Sequence, residues 1–287
     1  MLLVTAGLFS IVYGLSHAET TAWTNPYTIA FLLIGVALLA VFAVLETRVR
    51  HPLLPPRVVR NRTRGGSLLA MLFASIGIFG VFLFLTYYLQ GTLGFSPVKT
   101  GFAFLPMVAA LATMAQVSNR VLLPKVGPKI IVPVGLGLDA VAMYLLHRVG
   151  LHSSYASHVL PYLILLGLGF GLSLAPSFST GTLGLRPSDA GVGSATLNTS
   201  QQVGGSIGTA LLNTLAAGAA TAYLVGRLPT TLNLRAAALH SYTTAFLCSS
   251  AFFVVGAVAA GLVFEKGNLQ QLAGPGSTPD GPVVVRA

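Results

Sequence analysis

Charge is what this sequence has least of. Of its 287 residues only 8% are Asp, Glu, Lys or Arg, against about 25% in a soluble domain. So little ionic surface cannot keep a chain of this size in water, and a soluble globular domain is excluded. Acidic residues are the scarcer sign, six against sixteen Lys and Arg. Cysteine occurs once, at Cys248, which excludes a secreted scaffold stapled by disulfides. Disorder over the whole chain needs low hydrophobicity and high charge, whereas 54% of the residues here are hydrophobic. What remains is an integral membrane protein.

A helical span takes about 20 apolar residues. Eight apolar runs satisfy or approach that length: A (1–16), B (27–45), C (67–90), D (101–118), E (130–149), F (158–184), G (192–225) and H (238–264). Polar or turn-like stretches divide them, such as His17 to Pro26, Glu46 to Arg64, Thr92 to Lys99 and Arg120 to Lys129. Membrane β-strands are about 10 residues long and alternate strictly. These runs are continuous and rich in Leu, Ala and Gly, so an all-α integral membrane protein of about eight transmembrane helices is expected. Runs F and G exceed a span, and parts of each belong in the interface. Run A lacks the basic start and cleavage site of a signal peptide. It begins at Met1 without a polar lead-in and reads as a helix whose beginning is missing.

Alternating the eight runs sorts the basic residues between two sides. One side collects Arg48, Arg50, Arg57, Arg60, Arg62, Arg64, Arg120, Lys125, Lys129, Arg186, Lys266 and Arg286. The other holds Lys99, Arg148, Arg227 and Arg235. By the positive-inside rule the side with twelve of the sixteen is cytoplasmic, and both termini lie there. Trp23 and the tyrosines fall toward the other side, as interfacial rings do. The net charge of +10 is therefore mainly a topology signal. The cluster Arg48 to Arg64 also suits anionic lipid headgroups. No nucleic-acid partner is expected, since no aromatic-interleaved basic surface or binding motif accompanies the charge.

Several motifs occur in a recognisable order. His51-Pro-Leu-Leu-Pro-Pro-Arg57 and Arg60-Asn-Arg62 precede run C. Phe84-Leu-Thr-Tyr-Tyr-Leu-Gln90, Gly94-Phe-Ser-Pro-Val-Lys-Thr-Gly101 and Phe104-Leu-Pro106 follow. Run G carries Gly193-Ser-Ala-Thr-Leu-Asn-Thr-Ser-Gln-Gln-Val-Gly-Gly-Ser-Ile-Gly208. Together these resemble the major facilitator superfamily, in its fourteen-helix drug:proton antiporter branch (EmrB/QacA type). The match is to the second half of such proteins. The resemblance implies two linking transmembrane helices (1–50), a basic cytoplasmic loop (51–66), a six-helix C-terminal domain (67–264) and a flexible cytoplasmic tail (265–287). It implies a plasma-membrane secondary transporter that exports amphipathic or cationic small molecules against protons. The energy source is then the proton gradient, without a cofactor. The N-terminal six helices are absent, so the chain supplies one wall of a cavity between two halves. The alternatives are a non-transporting membrane subunit or scaffold that needs a separate N-terminal half, and an inactive fragment.

Within this frame Asp139 is the sharpest feature. It is the tenth residue of run E, near mid-membrane, where inserting an Asp costs about 2.5–3.5 kcal/mol. It is either a proton-coupling or cation-attracting carboxyl, or an acid hydrogen-bonded to a neighbouring helix for packing. On run G, at about 100° per residue, Asn198, Gln202, Ser206, Thr209 and Asn213 fall within about 80° of one another. Gly204 and Gly208 form a GxxxG pair about 140° away. The glycines point to close packing; the stripe lines a pathway or bonds to other helices. The loop with Asn119, Arg120, Lys125, Gly127 and Lys129 resembles the family's gating motif, with Asn119 in the acidic place. It is either a latch at helix ends or ordinary cytoplasmic charge. In run F, Gly167, Gly169, Gly171 and Pro176 permit a hinge, close packing or a static kink.

Enzymatic signatures are absent. The six histidines show no HExxH and no tight metal spacing. Gly171-Leu-Ser173-Leu-Ala175 lacks the last glycine of a nucleophile elbow. No enzyme activity and no metal site are expected. Cys248 sits among apolar neighbours and reads as inert.

Overall fold

The computed structural model describes residues 2–20, 24–46, 61–185 and 189–267. Trp23, the basic stretch 47–60 with the His51–Arg57 motif, Arg186 and the tail 268–287 lie outside the described residues. Among the described residues eight long helices run in chain order: α1 (Leu2–Thr20), α2 (Pro26–Glu46), α3 (Arg62–Tyr87), α4 (Pro97–Val117), α5 (Pro128–Leu146), α6 (Leu160–Gly181), α7 (Ala190–Leu224) and α8 (Thr231–Val263). Wider π turns extend three of them: Tyr88–Thr92 after α3, Ser118–Leu122 after α4 and Tyr155–Val159 before α6. A single α turn, Leu123–Val126, leads on to α5. The described residues contain no strand. With their extensions, α3 to α8 are each long and apolar enough to cross a membrane. In α1 and α2 the apolar stretches are shorter, Leu2–Gly14 and Pro26–Phe42.

The helices start where a side chain can accept from the first free backbone N–H groups. Asn61 Oδ1 accepts from the N–H of Arg64 at 3.1 Å, and α3 begins five residues before run C. Thr230 Oγ1 accepts from the N–H of Asn233 at 3.3 Å, and α8 begins seven residues before run H. Ser96 caps α4 in the same way, with Pro97 at its first position. Apolar runs register only the lipid-facing part of a helix; the caps set its true ends.

Helix α3 is the hub. Its Gly66, Gly77 and Gly80 lie against Phe264, Phe253 and Ser249 of α8. Its Leu72 and Ile76 carbonyls meet Gly204 and Gly208 of α7. Its Ser67 hydroxyl pairs with that of Thr180 on α6 at 2.9 Å. Behind α3, α5 packs on α6 through Gly135, and Ser250 of α8 donates to the Ala140 carbonyl of α5 at 2.7 Å. The rings of Phe170 and Phe253 meet in the core, 5.9 Å apart. Helix α4 leans on the outer side of α6. Helices α1 and α2 pair through Gly7 on Leu39 and Gly35 on Ile11, and α1 runs alongside α7.

Contacts at the two ends of the bundle fix which charges share a side. Arg62 donates to the Leu262 carbonyl and Arg64 to that of Leu183, so the start of α3 and the ends of α6 and α8 meet. The α4–α5 loop joins them through Asn119 and Ser179. At the opposite end Tyr88 donates to the Gly150 carbonyl, and Tyr155 to that of Ala103.

The α3–α7 crossing rests on backbone approach. A Cβ added at Gly208 would land on the Ile76 carbonyl, whereas one at Gly218 meets open space. Gly208→Ala should therefore lower the thermal midpoint of the purified protein, by the about 1–3 kcal/mol that overpacking costs. Gly218→Ala should leave it unchanged or raise it, since Ala is the better helix former. Equal effects would refute the close-approach account.

Candidate transport site

Asp139 is fully buried on α5. The chain makes room for it with a glycine: a Cβ on Gly169 of α6 would collide with Asp139 Oδ1. One turn earlier on α5, Gly135 touches the Gly169 carbonyl and the Ser173 backbone N–H group's nitrogen. The carboxyl thus occupies the tightest part of the α5–α6 crossing. Neither of its oxygens has a hydrogen-bond partner, and neither does the Ser173 hydroxyl. Ser173 is its polar neighbour on α6, yet the two groups are not in hydrogen-bond geometry.

On α7 the glycines and the polar stripe face different neighbours. Gly204 and Gly208 are buried against α3. Gln202 and Asn198 are exposed, and Ser206, Thr209 and Asn213 are half-buried. Ser206 donates to the Gln202 carbonyl at 3.0 Å and Thr209 to that of Gly205 at 2.9 Å. Those two hydroxyls therefore bond within their own helix, the usual alternative for a hydroxyl in mid-helix. Gln202, Ser206 and Thr209 line a cleft of about 330 Å³, closed on the other side by Val12, Ser16 and Phe79.

In the α4–α5 loop Asn119 Oδ1 accepts from the Ser179 hydroxyl at 3.3 Å, tying the loop to α6. Gly127 turns the chain with φ +83°, a conformation open to glycine. Arg120 and Lys125 are exposed and Lys129 is half-buried. The arginines that grip carbonyls at helix ends are Arg62 and Arg64. On α6, Gly167 and Gly171 face α4 at Met107 and Met114, while Gly169 faces α5. The alternating glycines thus let α6 run tightly between two helices. Pro176 is buried within α6, which continues through it. Among the described residues no three metal-ligating side chains cluster.

A bundle of long apolar helices with glycine crossings is the architecture of a multi-pass membrane protein. The sequence pattern of the Major Facilitator Superfamily matches residues 2–209. The chain belongs to that superfamily. It is a multi-pass membrane protein of a transporter family, not an enzyme. It is 41% identical over 267 residues to the puromycin resistance protein pur8 of Streptomyces alboniger, covering 92% of this chain and 53% of that protein. It is 31% identical to the tetracenomycin C resistance and export protein of Streptomyces glaucescens, over 76% of this chain and 40% of that one. The cephamycin export protein CmcT of Amycolatopsis lactamdurans is also 31% identical, with 74% and 44% covered. The chain spans about half the length of the curated relatives it matches. The fold resembles the crystal structure of a bacterial homolog to the human lysosomal transporter Spinster, with a TM-score of 0.60 at 13% identity, covering 90% of this chain and 64% of that one.

Within this superfamily fold, sequence reasoning missed Arg62 and Arg64 as structural ties, because both sit in a run of basic residues that topology already explained. It also missed Ser173. That residue lies 34 positions from Asp139, and only the α5–α6 crossing brings them together.

The cleft beside α7 gives a direct test. In a Cys248→Ser background, Gln202→Cys and Ser206→Cys should react with a water-soluble maleimide much faster than Leu212→Cys, which is fully buried. Equal rates would show that the stripe does not line an accessible face.

Proposed function

We propose that the chain is the C-terminal part of a proton-coupled exporter of amphipathic or cationic small molecules. It lies in the plasma membrane with the Arg62–Arg64 end, and both termini, in the cytoplasm. The relatives' names support export, since they are resistance and export proteins. The basic residues support the orientation. Transport then proceeds by alternating access, as two six-helix bundles rock about a site near mid-membrane. Helices α3 to α8 form one bundle. The second would cover α4 and α7, the least buried of its helices, and place the Gln202–Thr209 stripe on the transport path.

The observation that carries the coupling is Asp139. A buried carboxyl without a hydrogen-bonded partner is expensive in either protonation state. That expense is tolerated where the group changes state during function. In the proposed cycle Asp139 holds a proton in one conformation and gives it up in the other, so that substrate leaves as protons enter. The gradient supplies the energy, and no cofactor takes part.

The test uses inverted membrane vesicles from cells expressing the complete transporter that contains this segment. Puromycin added to energised vesicles should dissipate the pH gradient, and Asp139→Asn should abolish that response while the protein still reaches the membrane. Transport by Asp139→Asn with an unchanged pH dependence would remove the coupling role.

A further inference from the structure

Asp139 is surrounded asymmetrically. Toward the tyrosine-bearing end the seam around it is filled by apolar side chains: Leu163, Leu166 and Phe170 of α6, with Met143 and Leu146 of α5, all fully buried. Toward the Arg62–Arg64 end the same seam carries hydroxyls instead. Ser173, Ser177 and Thr180 follow one another on α6 at intervals of four and three residues, which keeps them on one face. All three are at most 1% exposed. Thr180 pairs with Ser67 of α3 at 2.9 Å. Ser67 in turn donates to the carbonyl of Thr63, whose own hydroxyl is buried without a partner. From Ser173 to the end of α6 at Gly181 is eight residues, or about 12 Å at the rise of an α-helix.

We propose that this file of hydroxyls is the route by which Asp139 exchanges its proton with the side marked by Arg62 and Arg64. The proposal rests on the proton-carrying role given to Asp139 above and adds its path and direction. A hydroxyl both donates and accepts. Ser177 donates to the Ser173 carbonyl at 2.6 Å and Thr180 to that of Pro176 at 2.7 Å; each relays by turning from that carbonyl, taking a proton on a lone pair and releasing its own to the next group. Asp139 then becomes a carboxylate as one hydronium leaves at the mouth, and the reverse sequence reprotonates it. Water is the co-reactant. Along this path Asp139, Ser173 and Thr63 lack a protein partner, as do Ser75, Ser118 and Ser249 elsewhere in the interior, and buried polar groups of this kind are the ones that bridging water satisfies. The apolar side chains of α5 and α6 on the opposite side offer no such steps, and the buried Ser250 of α8 is committed to the Ala140 carbonyl. Arg64, donating to the Leu183 carbonyl at 3.0 Å, caps the mouth.

The experiment is infrared spectroscopy of the full chain in lipid nanodiscs after transfer to D2O. The carbonyl stretch of protonated Asp139, assigned by its loss in Asp139→Asn, shifts as deuterium replaces the proton. Ser173→Ala and, independently, the isosteric Thr180→Val should slow that exchange about tenfold, the rate equivalent of one hydrogen bond lost at the barrier. Ser249→Ala removes a buried hydroxyl of α8 that lies outside the file and should leave the rate unchanged. Unchanged exchange in both file variants, or equal slowing by Ser249→Ala, overturns the route. An acid band absent from the wild-type spectrum overturns the proton-carrying role itself, and the route with it.

Discussion

In a bilayer the apolar side chains of a helix are as well solvated by acyl chains as by one another, so hydrophobic burial alone gives two helices little reason to meet. The distance at which their backbones can run decides instead. In this chain that distance is set by glycine. Gly204 and Gly208 let α7 press on the carbonyls of α3, and Gly77 admits the ring of Phe253. Gly167 and Gly171 seat α6 on α4. The same device creates the chemistry. Asp139 fits into the α5–α6 crossing only because Gly169 has no side chain there. The acid and the packing are therefore one feature, and a residue that tightened the crossing would expel the carboxyl.

Lipid also forces each polar group to find a partner inside the protein. The hydroxyls of α7 solve this locally. Thr196, Ser206, Thr209 and Thr214 each return a bond to the carbonyl one turn back. Another set solves it between helices. Ser200 donates to the Leu68 carbonyl, Ser250 to that of Ala140, and Ser67 pairs with Thr180. These bonds run between helices, whereas Ser206 and Thr209 of the α7 stripe bond within their own helix. Gln202, Ser206 and Thr209 line the cleft beside α1.

The helical architecture was legible because span length and apolar continuity are local properties. Asp139 was legible for the same reason: one acid in a run of apolar residues is visible without a fold. The GxxxG face of α7 followed from angular arithmetic, and the structure places both glycines on α3. The helix ends were less legible, since Asn61 and Thr230 cap helices whose first turns are polar. Ser173, Ser177 and Thr180 were hidden altogether. Serine and threonine are ordinary in membrane helices, and nothing local distinguishes a hydroxyl beside a distant carboxyl from one facing lipid. Arg62 and Arg64 were hidden by abundance, because a topology rule that explains every arginine singles out none.

The two faces of α7 meet different surroundings. Its glycine face is wholly committed to α3. Its Gln202 face meets only Val12, Ser16 and Phe79 across an open cleft, and none of these gives a glutamine amide an ionic or amide partner. An amide directed at hydrocarbon would carry a desolvation cost with nothing to offset it. It is tolerable only beside water or under further protein. Helix α4, the other least buried member of the bundle, shows exposed Phe102, Leu105 and Val108, which acyl chains solvate well. Of the two, α7 therefore carries the face that lipid cannot satisfy. The glycine face is satisfied by protein and the α4 face by lipid, so Gln202 marks the surface of the bundle that needs water or protein beside it.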